Sequence, residues 1–334
     1  MGKKILAADI GATKTDLALY EVTEEKPQPL YQKRYSNSEV KHFDDLLTRF
    51  LSACPTRPNI AVLAAAGPVR KGRVRMTNLD WQLDSAELAH RFSLDRVILI
   101  NDLVATAMAA VHADPGDQVA INQGEVDSSG NVAVLAPGTG LGEAALLRRQ
   151  NRWLPMPSEG GHTAFAPADA LQIELLCFLF DQGRDMVSVE DVCSGRGIPT
   201  LYRFCCHYFQ IDAPLPDLAA AEQTPAIVAA ALDGLGQGDE DHPAVRAMRL
   251  FVAILAAEAG DLALTTLATG GIYIGGGLPP RLLPFFESQI FMRFFARGVY
   301  RDMLARIPVQ MLTNPRAALW GAALYGASCL QSSG

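Results

Sequence analysis

Apolar residues run from Ile5 to Ala8 and resume at Ile10, broken only by Asp9. A run this short reads as a buried strand over 4–10. Gly11-Ala12-Thr13 turns the chain, and 17–22 reads as a return strand, with 30–35 as a third. Phe43, Leu46, Leu47, Phe50 and Leu51 recur at helical spacing and predict a helix over 42–53. A buried strand is expected at 59–66. Asp84 with Glu87 forms a capping-box pattern that opens a helix at 85–92. A strand at 96–100 and a helix at 103–111 follow. Strands alternating with helices after an antiparallel start indicate an α/β domain.

The pattern then restarts. Residues 131–136 form an apolar run, Gly138-Thr139-Gly140 a turn and 142–147 a return strand, echoing the first strand, turn and strand. Two such openings suggest a duplication. The second half is more helical, with helices expected at 168–181, 196–209 and 243–266. Residues 210–223, rich in Pro and Asp, read as a loop. A strand at 272–274 lies between Gly270-Gly271 and Gly275-Gly276-Gly277, and Pro280 is placed to begin a helix. A last strand is expected at 309–312 and a closing helix at 316–330.

The chain has 334 residues, 49% of them hydrophobic and 19% charged, enough for two folded domains. The net charge of −7, with no long basic run, argues against nucleic acid as a partner. Lys3-Lys4 and the Arg70–Arg73 cluster read as solvated strand ends. The first residues carry no apolar signal core. The longest apolar-rich stretch, 250–267, is interrupted by Glu258, Gly260 and Asp261, so no membrane span is expected and the expected location is the cytoplasm. Six scattered cysteines, none in Cys-x-x-Cys, read as buried reduced thiols; the spacing of Cys193, Cys205, Cys206 and His207 matches no standard zinc pattern.

Three glycine turns follow strands directly: Gly11-Ala12-Thr13, Gly138-Thr139-Gly140-Leu141-Gly142 and Gly275-Gly276-Gly277. Glycine lets backbone N–H groups approach phosphate oxygens closely. None is a Walker sequence, since no Gly-Lys-Ser or Gly-Lys-Thr occurs, and none has Rossmann spacing. Asp9, just before the first turn, is a candidate to hold Mg²⁺ through water, or else only to cap its turn. Asn101 and Asp102 end a buried strand, where ligands of α/β folds gather. Asp102 is a candidate general base, with helix capping as its structural alternative. In Ser158-Glu159-Gly160-Gly161-His162, Glu159 can accept from sugar hydroxyls, His162 can donate, and the glycines let backbone close on a ring. Glu190 is a further candidate or simply a helix-start acid, and Asn78 can cap or bind.

Together these blocks resemble the bacterial glucokinase family, the hexokinase branch of the actin-like ATPase (ribonuclease H-like) fold. The resemblance rests on Ala8-Asp9-Ile10-Gly11-Ala12-Thr13, Met76-Thr77-Asn78 with Trp81, Ile100-Asn101-Asp102, the Ala136–Gly142 segment, and Glu159-Gly160-Gly161-His162 with Phe165-Ala166-Pro167, followed by Glu190 and the 274–277 turn. It implies a two-domain α/β protein with a duplicated mixed sheet and flanking helices: a small domain of residues 1–105 plus 312–334 and a large one of 106–311, closing on sugar and ATP held between them. It implies ATP-dependent phosphorylation of glucose at the 6-hydroxyl, as in the first step of glycolysis. Asp102 is then the base, and Asn78, Asn101, Glu159, His162 and Glu190 hold the sugar. Ala8 to Thr13, Gly138, Thr139, Gly276 and Gly277 hold Mg-ATP, with Asp9 on the Mg²⁺. The expected assembly is a homodimer, and the partner a small molecule, glucose or a related hexose. The repressor-related sugar kinases carry a cysteine-rich zinc motif absent here.

Two positions depart from the family pattern. Ala12 replaces a glycine; if that position needs left-handed geometry, alanine costs ~1–2 kcal/mol. Ala164 is neutral where relatives often place a polar residue. Other readings are a kinase for another hexose or phosphoryl donor, and a non-catalytic sugar sensor, against which the retention of Asp102 argues. An actin-like polymer subunit would leave the sugar-facing blocks without purpose.

Overall fold

The computed structural model describes residues 3–23, 26–76, 79–150, 152–212 and 218–331, which divide into two compact units. The first comprises Met1–Asp114, Trp153–Pro157 and Asn314–Gly334. Its elements are β1 (Lys4–Ile10), β2 (Lys14–Glu21), β3 (Gln28–Ser36), α1 (Phe43–Ala53), β4 (Ile60–Ala65), β5 (Arg73–Arg75), β6 (Gln82–Asp84), α2 (Ser85–Phe92), β7 (Arg96–Asn101) and α3 (Asp102–Ala110). The closing helix Ala317–Gln331 returns to this unit.

The main sheet has the order β3-β2-β1-β4-β7. The β1–β2 and β2–β3 pairs are antiparallel, and β1–β4 and β4–β7 are parallel. Leu6, Ala8 and Ile10 pack with Phe43, Leu46, Leu47 and Phe50 of α1. The closing helix packs on β1, β4 and α3. Strands covered on both faces need apolar residues at every position, which is why β1 and β4 read as continuous runs rather than alternations. The expected capping residue of α2 is in place: Asp84 accepts from the N–H groups of Ala86 and Glu87.

The expected boundary at 105 moves. Because α3 packs along the closing helix, the first unit runs on to Asp114. The strand Val309–Leu312 pairs in the second sheet, so the chain rejoins the first unit at Asn314 rather than at 312.

The second unit comprises Pro115–Arg152 and Ser158–Thr313. Its strands β8 (Gln118–Asn122), β9 (Val132–Pro137), β10 (Leu141–Arg149), β12 (Gly271–Ile274) and β13 (Val309–Leu312) lie in the order β10-β9-β12-β13-β8; β11 is the strand Arg152–Ser158. An antiparallel hairpin, β9–β10, beside parallel neighbours β12 and β13 repeats the plan of the first sheet. The helices are α4 (Ala170–Asp181), α5 (Val189–Val192), α6 (Ile198–Tyr208), α7 (Ala220–Gly236), α8 (Pro243–Thr266), α9 (Ser288–Phe295) and α10 (Arg301–Arg306). The long α8 is the unit's axis and is buried along most of its length.

Several elements escape the pattern reading. The expected loop 210–223 is overtaken at Ala220 by α7, whose Pro225 sits inside the helix and disguises it. The partly polar strands β8 and β11 and the short helices α9 and α10 lack a long apolar period. Among the six cysteines, Cys193 and Cys205 are buried as expected, whereas Cys177 is exposed. Among the described residues no helix is long and apolar enough to cross a membrane.

Phe251 of α8 is 0% exposed within the second core. Phe251→Ala is expected to destabilise this unit by about 3–5 kcal/mol, the usual cost of removing a buried phenyl ring. Chemical denaturation followed by circular dichroism measures it.

Candidate active site

In the first unit the polar residues collect at the carboxyl ends of the parallel strands. Asp9 stands at the end of β1, and Asn101 and Asp102 stand where β7 passes into α3. Asp9 lies opposite Asp16 in the β1–β2 register, and Asp16 lies opposite Arg34 in the β2–β3 register. Arg34 donates from Nε and Nη2 to the two oxygens of Asp16, each at 2.8 Å. That pair neutralises Asp16 but leaves Asp9 facing like charge, an unfavourable cross-strand arrangement. Burial, then Asp102, then Asp16 push the Asp9 carboxyl up to about 7, and Arg34 draws it down only in part.

The turn after β1 is held by a residue with no motif to announce it. Asn37, 5% exposed, donates from Nδ2 to the Gly11 carbonyl at 2.9 Å and accepts from Thr15 Oγ1 at 2.7 Å. Its backbone N–H donates to the Thr13 carbonyl at 2.9 Å. Gly11 N–H closes the turn on Lys14 O at 3.0 Å. Ala12 is not among the residues with positive φ, so the strain anticipated for an alanine there does not arise. Ala8 and Ile10 send their side chains into the core and offer a ligand only backbone.

Asn101 takes the capping position of α3, its Oδ1 accepting from Leu103 N–H at 2.9 Å. Asp102 is the first helical residue; its Oδ1 lies 3.1 Å from the same N–H. The cap expected as Asp102's alternative duty thus falls chiefly to Asn101. Asn78 lies outside the described residues.

The second unit mirrors this arrangement. Gly138 N–H closes its own turn on Gly140 O at 2.8 Å. Gly195 N–H donates to Gly138 O at 2.7 Å, and Arg196 N–H to Thr139 O at 3.3 Å. Glu190, on α5, accepts Leu141 N–H on Oε2 at 2.9 Å and Arg196 Nη2 on Oε1 at 2.7 Å. The start of α5 is secured separately by a capping box between Ser188 and Asp191. Gly276 has φ of 87°, and the Pro137 carbonyl oxygen lies 2.4 Å from where its Cβ would stand, so only glycine fits. Gly138, Thr139 and Gly277 line a cavity of 710 Å³ together with Arg196, Arg203 and Arg281.

Glu159 precedes and His162 ends a single turn of 3₁₀ helix, Gly160–His162. Both side chains are exposed, and neither makes a hydrogen bond among the described residues. Ala164 pairs with Ser188 through backbone, and Val189 N–H donates to Thr163 O at 3.0 Å, which stitches this turn to the helix carrying Glu190. At position 164 the backbone therefore carries the structural duty.

A family model for glucokinase matches residues 6–329. The chain belongs to the glucokinase family. It is 35% identical to a glucokinase of Nostoc sp. over 97% of this chain and 98% of that one. The crystal structure of a glucokinase from an Antarctic psychrotroph superposes with a TM-score of 0.85 at 31% identity, covering 99% of this chain and 100% of that one. A glucokinase of the repressor-related (ROK) family from Streptomyces griseus, solved in complex with glucose and AMPPNP, shares the fold with a TM-score of 0.65 at 21% identity, over 96% of this chain and 98% of that one. The actin-like ATPase fold expected from the motifs is therefore the fold of this family member.

Among the described residues no cluster of three or more His, Cys, Asp or Glu side chains could hold a metal ion alone. A lone carboxylate amid repelling neighbours instead suits a cation that keeps most of its waters. Folded Asp9 holds its proton to about pH 7, against an ordinary value of 3.8. Its stabilising contribution is whole below pH 3.8 and is lost as pH rises through 7. In thermal melts without divalent cations, wild type should lose stability between pH 5 and pH 8. Asp9→Asn should remove its share of that slope, leaving the part due to buried Glu143, which is raised over the same range.

Proposed function

We propose that this chain is a glucokinase that transfers the terminal phosphoryl group of ATP to the 6-hydroxyl of glucose. One observation carries the reading. Within a member of the glucokinase family, Asp102 stands at the acidic strand end of the first unit, and Glu159 and His162 of the second unit are exposed and unengaged among the described residues. A binding module would need the latter pair but not the base.

Asn101, Glu159, His162 and Glu190 hold the sugar hydroxyls, with Asn78 as a further candidate. Both oxygens of Glu190 already accept one hydrogen bond, and a carboxylate has capacity for about four, so a sugar contact is compatible with its duty at the turn. Asp102 accepts the proton of the 6-hydroxyl as that oxygen bonds to the terminal phosphorus. The bond from this phosphorus to the bridging oxygen breaks, and ADP carries the electron pair away. The turns at 11–13 and 138–140 and Gly276-Gly277 lie against the phosphates. The 710 Å³ cavity in the second unit is within the usual size range for a nucleotide, and its three guanidinium groups suit an anion. The acidic surroundings of Asp9 fit Mg²⁺, which when bound would neutralise charge on the phosphate oxygens. Asp9 would hold it through water.

ADP release is to be measured across a panel of hexoses and phosphoryl donors. Turnover with glucose and ATP is expected, and none with any hexose would overturn the proposal. Asp102→Asn should lower kcat by ~10²-fold or more, the scale of a lost general base. Glucose affinity by calorimetry should fall much less. Since Asn and Asp cap helices about equally well, near-normal kcat would remove Asp102 from the chemistry.

A further inference from the structure

The strand β10 carries one charged residue in its apolar stretch, and the mechanism above does not use it. Glu143 is 2% exposed between Leu141 and Ala144-Ala145, and its Oε1 has no hydrogen-bond partner among the described residues. Its other oxygen reaches the sugar-facing turn. A Cβ built on Gly160 would stand 1.9 Å from Glu143 Oε2. The Glu143 carboxyl thus fills the space a side chain at 160 would need.

We propose that Glu143 is a positioning residue for the sugar: paired with Glu258 of α8, its carboxyl is the wedge behind Gly160 that fixes the turn presenting Glu159 and His162. The proposal rests on the reading that this turn holds glucose.

Besides Glu143, the turn is tied to α5 by Val189 N–H on Thr163 O at 3.0 Å, and its remaining bonds are its own. Ser158 Oγ accepts Gly160 N–H at 2.9 Å, and Thr163 donates to Gly160 O from N–H and Oγ1, each at 2.8 Å. These bonds are local to 158–163. Glu143 links the turn to the sheet, and through Glu258 to the long buried α8. Among the described residues no cation is set against Glu143, which favours the uncharged wedge. Burial and the facing Glu258 push Glu143 up to about 8, and burial raises Glu258 as well. The buried Cys193 thiol faces both carboxyls and stays protonated, raised by burial and by both acids. Asp261 and Arg297 border Glu258. Arg297 is bonded to Asp261 at 2.8 Å and to the Ala257 carbonyl at 3.0 Å. At neutral pH the pair keeps a proton. Above about pH 8 a second negative charge appears in the buried space, and the carboxyl no longer keeps its place behind Gly160.

The test measures KM for glucose, KM for ATP and kcat from pH 6.5 to 9.5, with melting temperatures, for wild type, Glu143→Gln, Glu143→Ala and Glu258→Gln. In wild type KM for glucose should rise roughly tenfold from pH 7 to pH 9, the loss of neutral form expected one unit above the titration point. KM for ATP should stay nearly flat. Glu143→Ala should raise KM for glucose at pH 7 by about tenfold, and Glu143→Gln should reverse that loss and flatten the pH profile. If the Gln variant fails to fold, Glu258→Gln must flatten the same profile. A Gln variant with the wild-type profile would overturn the proposal, as would an Ala variant that melts lower yet keeps its KM for glucose. Glu159→Ala separates the two readings. If wild type binds glucose and this variant binds it equally well, the turn does not hold the sugar and the reading beneath the proposal fails instead.

Discussion

Three carboxylates, Asp9, Asp16 and Asp102, stand close enough at one end of the first sheet that two of them raise the third, and Asp16 is bonded to the Arg34 guanidinium. Unfavourable charge of this kind persists only where surrounding structure imposes it. Here β1 and β4, buried on both faces, supply the force. Their apolar runs admit no slip of register, since a shift by one residue would turn Asp9 into the core. The rigidity that makes Asp9 costly also holds it where a hydrated cation would relieve the repulsion. Arg34 shows the limit of what the sheet itself does: it neutralises the carboxylate nearer the edge and leaves the inner one unmatched.

Both units meet the demand for backbone close to an anion in the same way, and each secures its turn by different chemistry. In each, an antiparallel hairpin beside parallel strands ends in a glycine turn whose first N–H closes the turn itself. The first turn is held by one buried side chain, Asn37, bonded to both its rims. The second is held by backbone from Gly195 and Arg196 and by the carboxylate of Glu190. A duplicated plan with unlike anchors is what a shared fold permits: the hairpin geometry is general, while any group that satisfies the turn's carbonyls and N–H groups serves.

The legible features were those that physics writes locally. The runs 4–10 and 309–312 and the long helix 243–266 are decided by apolar period alone, and the observed bounds agree. The glycine turns and the Glu-Gly-Gly-His block were legible because few sequences permit such close backbone approach. Asn37 was not, because a single Asn after a polar strand carries no period, and its meaning lies in atoms 22 and 26 residues away. The α7 helix was hidden by Pro225 and by a preceding segment of loop-like composition. The expected penalty at Ala12 failed for a related reason: whether a turn position needs positive φ depends on how the turn closes, and the bond from Gly11 to Lys14 closes it without that requirement.

Buried Glu143 and half-buried Glu190 show why acids matter more here than their number suggests. Glu143 stands behind the Gly160 turn and Glu190 against the Gly138–Gly140 turn, yet their environments differ. Glu190 meets a guanidinium and a backbone N–H. It ties the Gly138–Gly140 turn to Arg196, a residue of the large cavity, while the backbone bridge at Ala164 joins its helix to the Glu159 turn. Glu143 has only another acid and a thiol before it, which favour its neutral form. A change at Glu143 is therefore felt at the Gly160 turn, whereas the Glu190–Arg196 pair touches both the turn after β9 and the lining of the large cavity. The two acids lie in the same unit, but one is bonded to a guanidinium and the other faces a second acid, so they differ in reach.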